Sequence, residues 1–421
     1  MATVNGDTRI NDYGRIWIHR PFQITPTLAT PTSPIISGCP LPKSTPRPAS
    51  GDRLHHQFSQ SSTPEEFLED VHLSKSEFYE SQFLSRVAKE DRKRIERRTI
   101  QSSRLGLGEV NVTIYFPSVY DGSDTLAKLD GICLHVHGGG WLWGDSYHQV
   151  AHRCLEMAQS TNAAVVSVEY STFCRVNSNV DEKYGANLFD PVNDVLIAMD
   201  WIESSGTKEL NTHHSFVGSG ESSGAHLLML AMLRRRDMEN IVLHRPVPLL
   251  PINSCPTAQS TTASWSKWKC LNLVYGVFDI SGSPSIHADG GASSPLCGDD
   301  LLLLYDLYYS RVLKSTQAKK NGDVTQQMNM DRRHPLLSPL YANLSYFPPS
   351  LLSVGTADPL LDDSLFMASK YCSYGNRVEL AVYEGGEHGI GHFGLQEDEE
   401  MGILARRHTL AFLKEYLQSD K

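Results

Sequence analysis

The chain has 421 residues, of which 40% are hydrophobic, so it is long enough to bury a full core as one large domain or as two. This composition excludes a fibrous or wholly disordered protein. The net charge of −10 at pH 7 argues against a general nucleic-acid binder, because such a protein needs a basic face to neutralise phosphates.

Cysteine spacing and the absence of long apolar runs predict the cellular compartment of the protein. The eight cysteines stand singly, with no Cys-x-x-Cys pair and no histidine at zinc-site spacing. Residues 1–20 lack a basic start followed by an apolar block, and no window approaches about 18 uninterrupted apolar residues. We therefore expect a soluble cytoplasmic protein with reduced thiols, no metal and no membrane span.

The front of the chain divides into two predicted segments. Residues 1–63 are expected to form a flexible arm, because residues 21–63 are rich in proline, which prevents regular helix and central strand. Residues 64–104 are expected to form a helical cap segment. Within it a capping box and apolar residues at helical spacing predict one amphipathic helix over residues 75–98. Its basic end is interleaved with acids, which favours a solvated face over a phosphate or membrane patch.

From residue 105 to residue 421, short β-branched runs alternate with helical sequence. The predicted strands are residues 110–116, 131–136, 163–168, 271–277, 350–354 and 378–382, and the predicted helices include residues 147–160, 227–236 and 399–417. This alternation predicts an α/β fold with a mainly parallel twisted sheet and helices on both faces. Residues 282–340 interrupt the pattern and are expected to form a cap insertion that includes residues 301–309.

The first chemical motif is His137-Gly138-Gly139-Gly140-Trp141, directly after a predicted buried strand. Successive glycines let backbone N–H groups point into a cleft, as a developing oxyanion requires. A plain flexible turn is the alternative. His137 precedes the glycines and is expected to brace the loop, so we assign it no proton transfer.

The second motif is Gly220-Glu221-Ser222-Ser223-Gly224, between a short apolar run and a helical run. A nucleophile elbow has this pattern, since its glycines permit a sharp turn from strand to helix that exposes the serine oxygen. A Gly/Ser turn that merely opens a helix also fits. A dinucleotide-binding loop does not fit, because the spacing of Gly218, Gly220 and Gly224 is one residue too long.

Two further motifs follow strands near the end of the chain. Asp358 precedes Pro359, which is a helix N-cap pattern, but it also sits where a carboxylate that orients a histidine belongs. The glycine-rich stretch 384–393 carries His388 and His392, and a histidine in such a loop is accessible for general base work. Gly389 beside His388 favours His388 over His392.

The order Ser222, Asp358, His388, with a glycine loop before the serine, joins these motifs. The chain resembles the α/β-hydrolase fold over about residues 105–418. Its motifs are similar to those of hormone-sensitive-lipase-like carboxylesterases, including arylacetamide-deacetylase-like members. That resemblance implies Ser222 as nucleophile, Asp358 as orienting acid and His388 as base. It also implies an oxyanion hole at the glycine loop, which comprises Gly138, Gly139 and Gly140, with the amide of Ser223.

Three departures from the family pattern bear on the site. Glu221 and Ser223 replace the usual Asp and Ala, and Ile390 replaces the usual Phe. The family's Tyr-Arg-Leu-Ala-Pro-Glu segment is here Tyr170-Ser171-Thr172-Phe173-Cys174-Arg175, which puts the geometry beside the elbow in question.

The expected activity is hydrolysis of small or medium-sized carboxylic esters through an acyl-enzyme, without metal or organic cofactor. An amidase or deacetylase using the same residues is the nearest alternative. A non-catalytic ligand receptor on the same fold is a second alternative, opposed by the presence of all three residues. The expected partner is a small-molecule ester. The natural ester, the oligomeric state and the role of residues 245–268 cannot be derived from the sequence.

Overall fold

A computed structural model describes the larger part of the chain. The described residues are 14–19, 87–103, 107–118, 128–173, 191–242, 267–288, 296–318, 331–391 and 400–418.

Nine strands of the described chain form one sheet in the order β1-β9-β8-β7-β6-β4-β5-β3-β2. They are β1 Gly14–His19, β2 Ile95–Gln101, β3 Glu109–Tyr115, β4 Ile132–Val136, β5 Ala164–Val168, β6 Phe216–Glu221, β7 Trp268–Val274, β8 Ser350–Gly355 and β9 Val378–Tyr383. Strands β1 and β4 to β9 run in one direction, β3 runs against them, and the edge strand β2 pairs antiparallel with β3. Every residue of β4, β5, β6 and β8 is buried, so the centre of the sheet is covered on both faces.

The helices between the strands provide that cover. They are α1 Ala151–Thr161, α2 Pro191–Trp201, α3 Ser223–Val242, α4 Pro284–His287, α5 Gly298–Ala318, α6 Leu361–Ser373 and α7 Glu400–Gln418. Helix α2 continues through a π-helical stretch, Ile202–Gly206, and a last turn, Thr207–Glu209. Helix α1 packs against α7, and α2 packs against α3. The predicted α/β architecture is confirmed, with strand and helix limits shifted by a few residues.

The helix predicted over residues 75–98 is wrong at its carboxyl end, while residues 75–86 lie outside the described chain. Asp91–Arg94 form a single 3-10 turn, and β2 then pairs with β3 in antiparallel register. Ile95, Thr99 and Ile100 are β-branched, and pairing with a neighbouring strand outweighs the helical spacing of the apolar residues. Of the basic residues near this end, Arg98 lies in the edge strand and contacts Glu209 at 3.2 Å, whereas Arg94 lies in the 3-10 turn and is buried, contrary to the expected solvated face.

The arm predicted over residues 1–63 also contains regular structure. Residues 14–19 form β1, which pairs in parallel with the whole of β9, from Gly14 beside Val378 to His19 beside Tyr383. An edge strand has backbone groups without partners, and an added strand satisfies them. The flexible-arm prediction is therefore wrong for residues 14–19. Residues 1–13 and 20–63 lie outside the described chain.

Candidate active site

The parallel strands bring the sequence motifs together at one edge of the sheet. The glycine loop follows β4, Ser222 follows β6, Asp358 follows β8 and His388 follows β9. Because these strands run in one direction, their carboxyl ends meet at the same edge, where α/β proteins place their sites.

Ser222 lies at a strained turn between β6 and α3. Its φ of 52° is in the left-handed region, and the strand ends at Glu221 while the helix begins at Ser223. A Cβ on Gly220 would lie 2.7 Å from the Ala225 Cα, and one on Gly224 would lie 2.1 Å from the Val136 carbonyl oxygen. Only glycine fits at either position, so the local geometry is that of a nucleophile elbow.

The three predicted triad residues are within hydrogen-bonding distance of one another. His388 Nε2 lies 3.1 Å from Ser222 Oγ, and His388 Nδ1 lies 3.0 Å and 3.1 Å from the two carboxylate oxygens of Asp358. All three residues are buried. A carboxylate only accepts, so Nδ1 carries the proton and Nε2 offers its lone pair to the serine hydroxyl.

Asp358 lies in the turn before α6; the N-cap of this helix is Leu360, so the prediction that Asp358 caps it is wrong. Its Oδ1 accepts a hydrogen bond from the backbone N–H of Leu360 at 2.8 Å, which fixes the turn before α6. The same carboxylate faces His388. Asp362 and Asp363 lie in the first turn of α6, as expected.

Asp363 has a further contact that the sequence did not indicate. Its Oδ1 accepts backbone hydrogen bonds from Phe278 at 2.6 Å and Asp279 at 2.9 Å, in the segment after β7. Burial raises the pKa of Asp363 to about 7, and these two bonds offset part of that rise. The same segment supports the triad, because the Tyr275 ring packs 4.8 Å from the His388 ring. No sequence spacing relates Asp363 to this segment, so only the fold reveals the contact.

The glycine loop has a backbone that only glycine adopts easily. Gly139 and Gly140 have φ values of 119° and 62°. Trp143 donates its N–H to the Gly139 carbonyl, which closes the turn. Among the backbone hydrogen bonds of the described residues, none is donated by Gly138, Gly139, Gly140 or Ser223 outside helices and strands. The loop N–H groups are therefore available to a ligand.

Tyr170 braces the glycine loop from the side of β5. Its hydroxyl donates to the carbonyl oxygens of His137 at 3.0 Å and Gly138 at 3.3 Å, and its ring stacks on the His137 ring at 4.1 Å. His137 in turn donates from Nδ1 to the Gly138 carbonyl, as expected for a bracing residue. The far end of the loop is fixed by the Glu169 carboxylate, which accepts from the Ser146 N–H at 2.8 Å. Tyr170, the first residue of the atypical segment, therefore supports the glycine loop, whereas residues 174–190 lie outside the described chain.

Helix α5 lies against the same loop from the opposite side. Leu304 packs so closely on Gly140 that a Cβ there would lie 2.6 Å from the leucine Cδ1. Tyr308 stacks on Trp141 with ring centroids 4.5 Å apart. Residues 301–309 therefore lie on the side of the sheet edge that carries Ser222. His392 lies outside the described residues.

A family model described as the alpha/beta hydrolase fold matches residues 133–275 and 309–392, which is more than half of the chain. The chain belongs to the α/β hydrolase fold family. The match includes Ser222, Asp358 and His388, and it confirms the fold that the motifs predicted.

Two relatives of this α/β hydrolase are similar over most of its length. Lipase 2 of Moraxella sp. is 24% identical over 288 residues, which cover 67% of this chain and 59% of that protein. Carboxylesterase NlhH of Mycobacterium tuberculosis is 24% identical over 304 residues, which cover 72% of this chain and 77% of that protein.

Solved structures extend the likeness of the fold. An esterase from Pyrobaculum calidifontis has a TM-score of 0.59 at 21% identity, with 85% of this chain and 94% of that chain covered. A thermostable esterase from Pseudomonas putida ECU1011 has a TM-score of 0.61 at 19% identity, with 89% of this chain and 99% of that chain covered. None of the helices in the described part of the α/β hydrolase is long and apolar enough to cross a membrane.

Proposed function

We propose that this α/β hydrolase cleaves carboxylic esters of small or medium-sized substrates with Ser222 as nucleophile, His388 as general base and Asp358 as orienting acid. The observation that carries the proposal is the buried chain of contacts from Ser222 Oγ to His388 Nε2 and from His388 Nδ1 to Asp358. Beside a strained serine such a chain serves nucleophilic catalysis.

In the first step the Ser222 oxygen attacks the ester carbonyl carbon while His388 Nε2 takes the hydroxyl proton. The imidazolium that forms is stabilised by the Asp358 carboxylate. Collapse of the tetrahedral intermediate breaks the bond to the alcohol oxygen, and His388 returns the proton to that oxygen. The alcohol leaves, and the acyl group remains on Ser222.

The negative charge of the intermediate falls on the former carbonyl oxygen. We assign its stabilisation to the backbone N–H groups of Gly138, Gly139 and Gly140, in the loop after the strand that pairs with β6, and of Ser223, which follows Ser222. Each donor in such a hole typically contributes about 3 kcal/mol to the transition state. The close packing of Gly139 and Gly140 keeps these donors in place before the substrate arrives.

In the second step water attacks the acyl-enzyme, and His388 takes one of its protons. The intermediate collapses, the Ser222 oxygen recovers a proton from His388, and the carboxylic acid is released. Every proton is carried by residues of this chain. The mechanism requires no metal or organic cofactor.

Relatives named lipase and carboxylesterase, and esterases with the same fold, support an ester as substrate. The same chemistry reaches activated amides, so an aryl amide belongs in the test. We further propose that residues 282–340 act as a cap over the acyl group, since α5 contacts the glycine loop.

The decisive experiment combines covalent labelling with a substrate panel. A fluorophosphonate should add one adduct to the peptide that contains Ser222, and Ser222→Ala should abolish both labelling and turnover of p-nitrophenyl esters. Ser310→Ala is the matched control, because Ser310 is exposed and bonds only within α5. Labelling of another serine, or no labelling of folded active protein, contradicts the assignment. Faster turnover of the aryl amide than of the esters favours the amidase instead.

A further inference from the structure

One face of α5 forms a wall beside the glycine loop. Leu301, Leu304, Tyr305 and Tyr308 follow the spacing that places residues on one helix face, and all four are buried. Leu304 contacts Gly140, Tyr308 stacks on Trp141, and the Tyr305 ring lies 6.1 Å from the Trp141 ring, edge to face.

A histidine from the helix that follows Ser222 completes an aromatic cluster of Trp141, His226, Tyr305 and Tyr308. The His226 ring lies 5.2 Å from the Trp141 ring and 5.2 Å from the Tyr308 ring. Burial lowers the pKa of His226 to about 4, although the Leu337 carbonyl offsets part of this effect. His226 Nε2 lies 2.7 Å from that carbonyl oxygen and therefore carries the proton of the neutral ring. Its Nδ1 presents a bare lone pair.

Three polar atoms of this cluster have no hydrogen-bond partner within the described chain. They are the indole N–H of Trp141, the hydroxyl of Tyr305 and Nδ1 of His226, and their side chains are fully buried. Native proteins leave few buried polar atoms unpaired, because each such atom costs about 1–3 kcal/mol. Three of them in one cluster, next to an oxyanion loop, indicate a place built for a polar ligand group.

Tyr305 lies between the glycine loop and the carboxylates around Asp358. Its ring contacts Trp141 on the glycine-loop side. Burial, followed by the nearby carboxylates of Asp363, Asp279 and Asp358, raises the pKa of Tyr305 well above its usual value. The phenol therefore keeps its proton and acts as a hydrogen-bond donor near the triad acid. Because Leu304 of the same helix contacts Gly140, this wall borders the loop assigned to the ester carbonyl oxygen.

We propose that Tyr305 and Trp141 are specificity-determining residues, and that they select short acyl groups with a hydrogen-bonding oxygen close to the ester carbonyl. The two donors pair with an ether, hydroxyl or keto oxygen, and His226 Nδ1 accepts from a hydroxyl. A plain alkyl chain leaves all three atoms unpaired. A site built to pair with a polar substrate group rejects the analogue that lacks it more strongly than an apolar pocket rejects an added methylene. This inference rests on the proposed ester hydrolysis.

The test uses two esters that differ by one atom in the acyl chain. p-Nitrophenyl methoxyacetate and p-nitrophenyl butyrate have acyl chains of equal length, with an oxygen in place of one methylene. The measured quantity is the ratio of kcat/KM for the two esters, compared between wild type and variants, which cancels their difference in intrinsic reactivity. In Tyr305→Phe the ratio should fall by about tenfold or more, through loss of methoxyacetate turnover.

Trp141→Phe removes the second donor and also leaves a smaller ring in a fully buried position, so turnover of both esters should fall and their ratio should fall in the same direction as in Tyr305→Phe. Tyr309→Phe is the control, because Tyr309 lies on the same helix outside the cluster, with its ring beneath the Arg332 guanidinium. Its ratio should equal that of wild type. Fluorophosphonate labelling of each variant reports whether its triad is folded.

An unchanged ratio in both Tyr305→Phe and Trp141→Phe, with Ser222 still labelled, overturns the specificity inference and leaves ester hydrolysis intact. If wild type turns over neither ester, the proposed function itself is overturned. Equal loss of both esters in Tyr305→Phe assigns Tyr305 to structure rather than to selection, and so also overturns the inference.

Discussion

The two sides of the site are built differently. On the sheet side, loops after β4, β6, β8 and β9 carry the glycine loop and the triad, and their polar groups are joined by hydrogen bonds such as those of Tyr170, Asp358 and Asp363. On the α5 side, contacts with the loop are aromatic and aliphatic, and the hydroxyl of Tyr305 stays unpaired within the described chain. Under the proposed function, the sheet side performs the chemistry and the α5 side selects the substrate.

The largest effect on activity is expected at His388, the proposed base on the sheet side. His388→Ala should lower the rate constant for an activated ester by several orders of magnitude, because no group remains to take the serine proton. His392→Ala should cost at most about tenfold if His392 only supports its loop. Both variants are assayed on one p-nitrophenyl ester, with folding checked by circular dichroism. The reverse ranking moves the base to His392.

The second-largest effect on activity is expected at Gly140, where the glycine loop contacts α5. Gly140→Ala should lower kcat by about a hundredfold, because its φ of 62° strains an alanine and the new Cβ would lie 2.6 Å from Leu304 Cδ1. Gly375→Ala is a matched control, since Gly375 also has a positive φ but no atom within 4 Å of the added Cβ. Kinetics on p-nitrophenyl acetate and thermal unfolding distinguish the two. Equal kcat in both variants contradicts a catalytic role for the loop geometry.

A smaller effect tests the bracing of the glycine loop. Tyr170→Phe keeps the ring that stacks on His137 but removes the hydrogen bonds to the His137 and Gly138 carbonyls. One such buried bond is worth about 1 kcal/mol, so kcat should fall by about fivefold to tenfold while the ratio between esters stays constant. A changed ester ratio with unchanged kcat would place Tyr170 with the selecting side instead.

The smallest effect on activity is expected at Asp363, where the readout is stability against pH. Burial raises the pKa of Asp363 from 3.8 to about 7. The folded state therefore binds a proton more tightly than the unfolded state, so the contribution of Asp363 is complete below about pH 4 and is lost as the pH rises to about 7. Asp363→Asn keeps an acceptor for the Phe278 and Asp279 N–H groups but does not ionise.

Melting temperatures of wild type and Asp363→Asn, measured from pH 5 to pH 8, check this expectation. The variant should gain stability relative to wild type as the pH rises, with the gain levelling off above about pH 7. Parallel curves across the range would mean that Asp363 titrates as it does in the unfolded chain.

The sheet and the motifs at its edge were predicted from local sequence patterns. Strands such as β4 and β5 are short, fully buried runs rich in apolar and β-branched residues, as strands covered on both faces are. The fold predicted from them agrees with the structure and with the family match. The helix predicted over residues 75–98 is wrong at its carboxyl end because residues 95–98 pair with β3, and such pairing depends on the tertiary structure. Strand β1 was missed because only the open edge of β9 gives residues 14–19 a partner.

The sequence by itself determined the reactive groups. The flanking glycines, the order of Ser222, Asp358 and His388, and their places after strands are properties of the chain, because the elbow and the parallel sheet follow from local sterics and composition. The tertiary structure decided what surrounds those groups. Three sets of contacts join residues far apart in sequence. Asp363 accepts hydrogen bonds from Phe278 and Asp279, and Tyr170 donates to the glycine loop. The rings of Tyr305 and His226 both pack against Trp141. Such contacts depend on how helices and loops pack across the sheet edge, which no local pattern encodes.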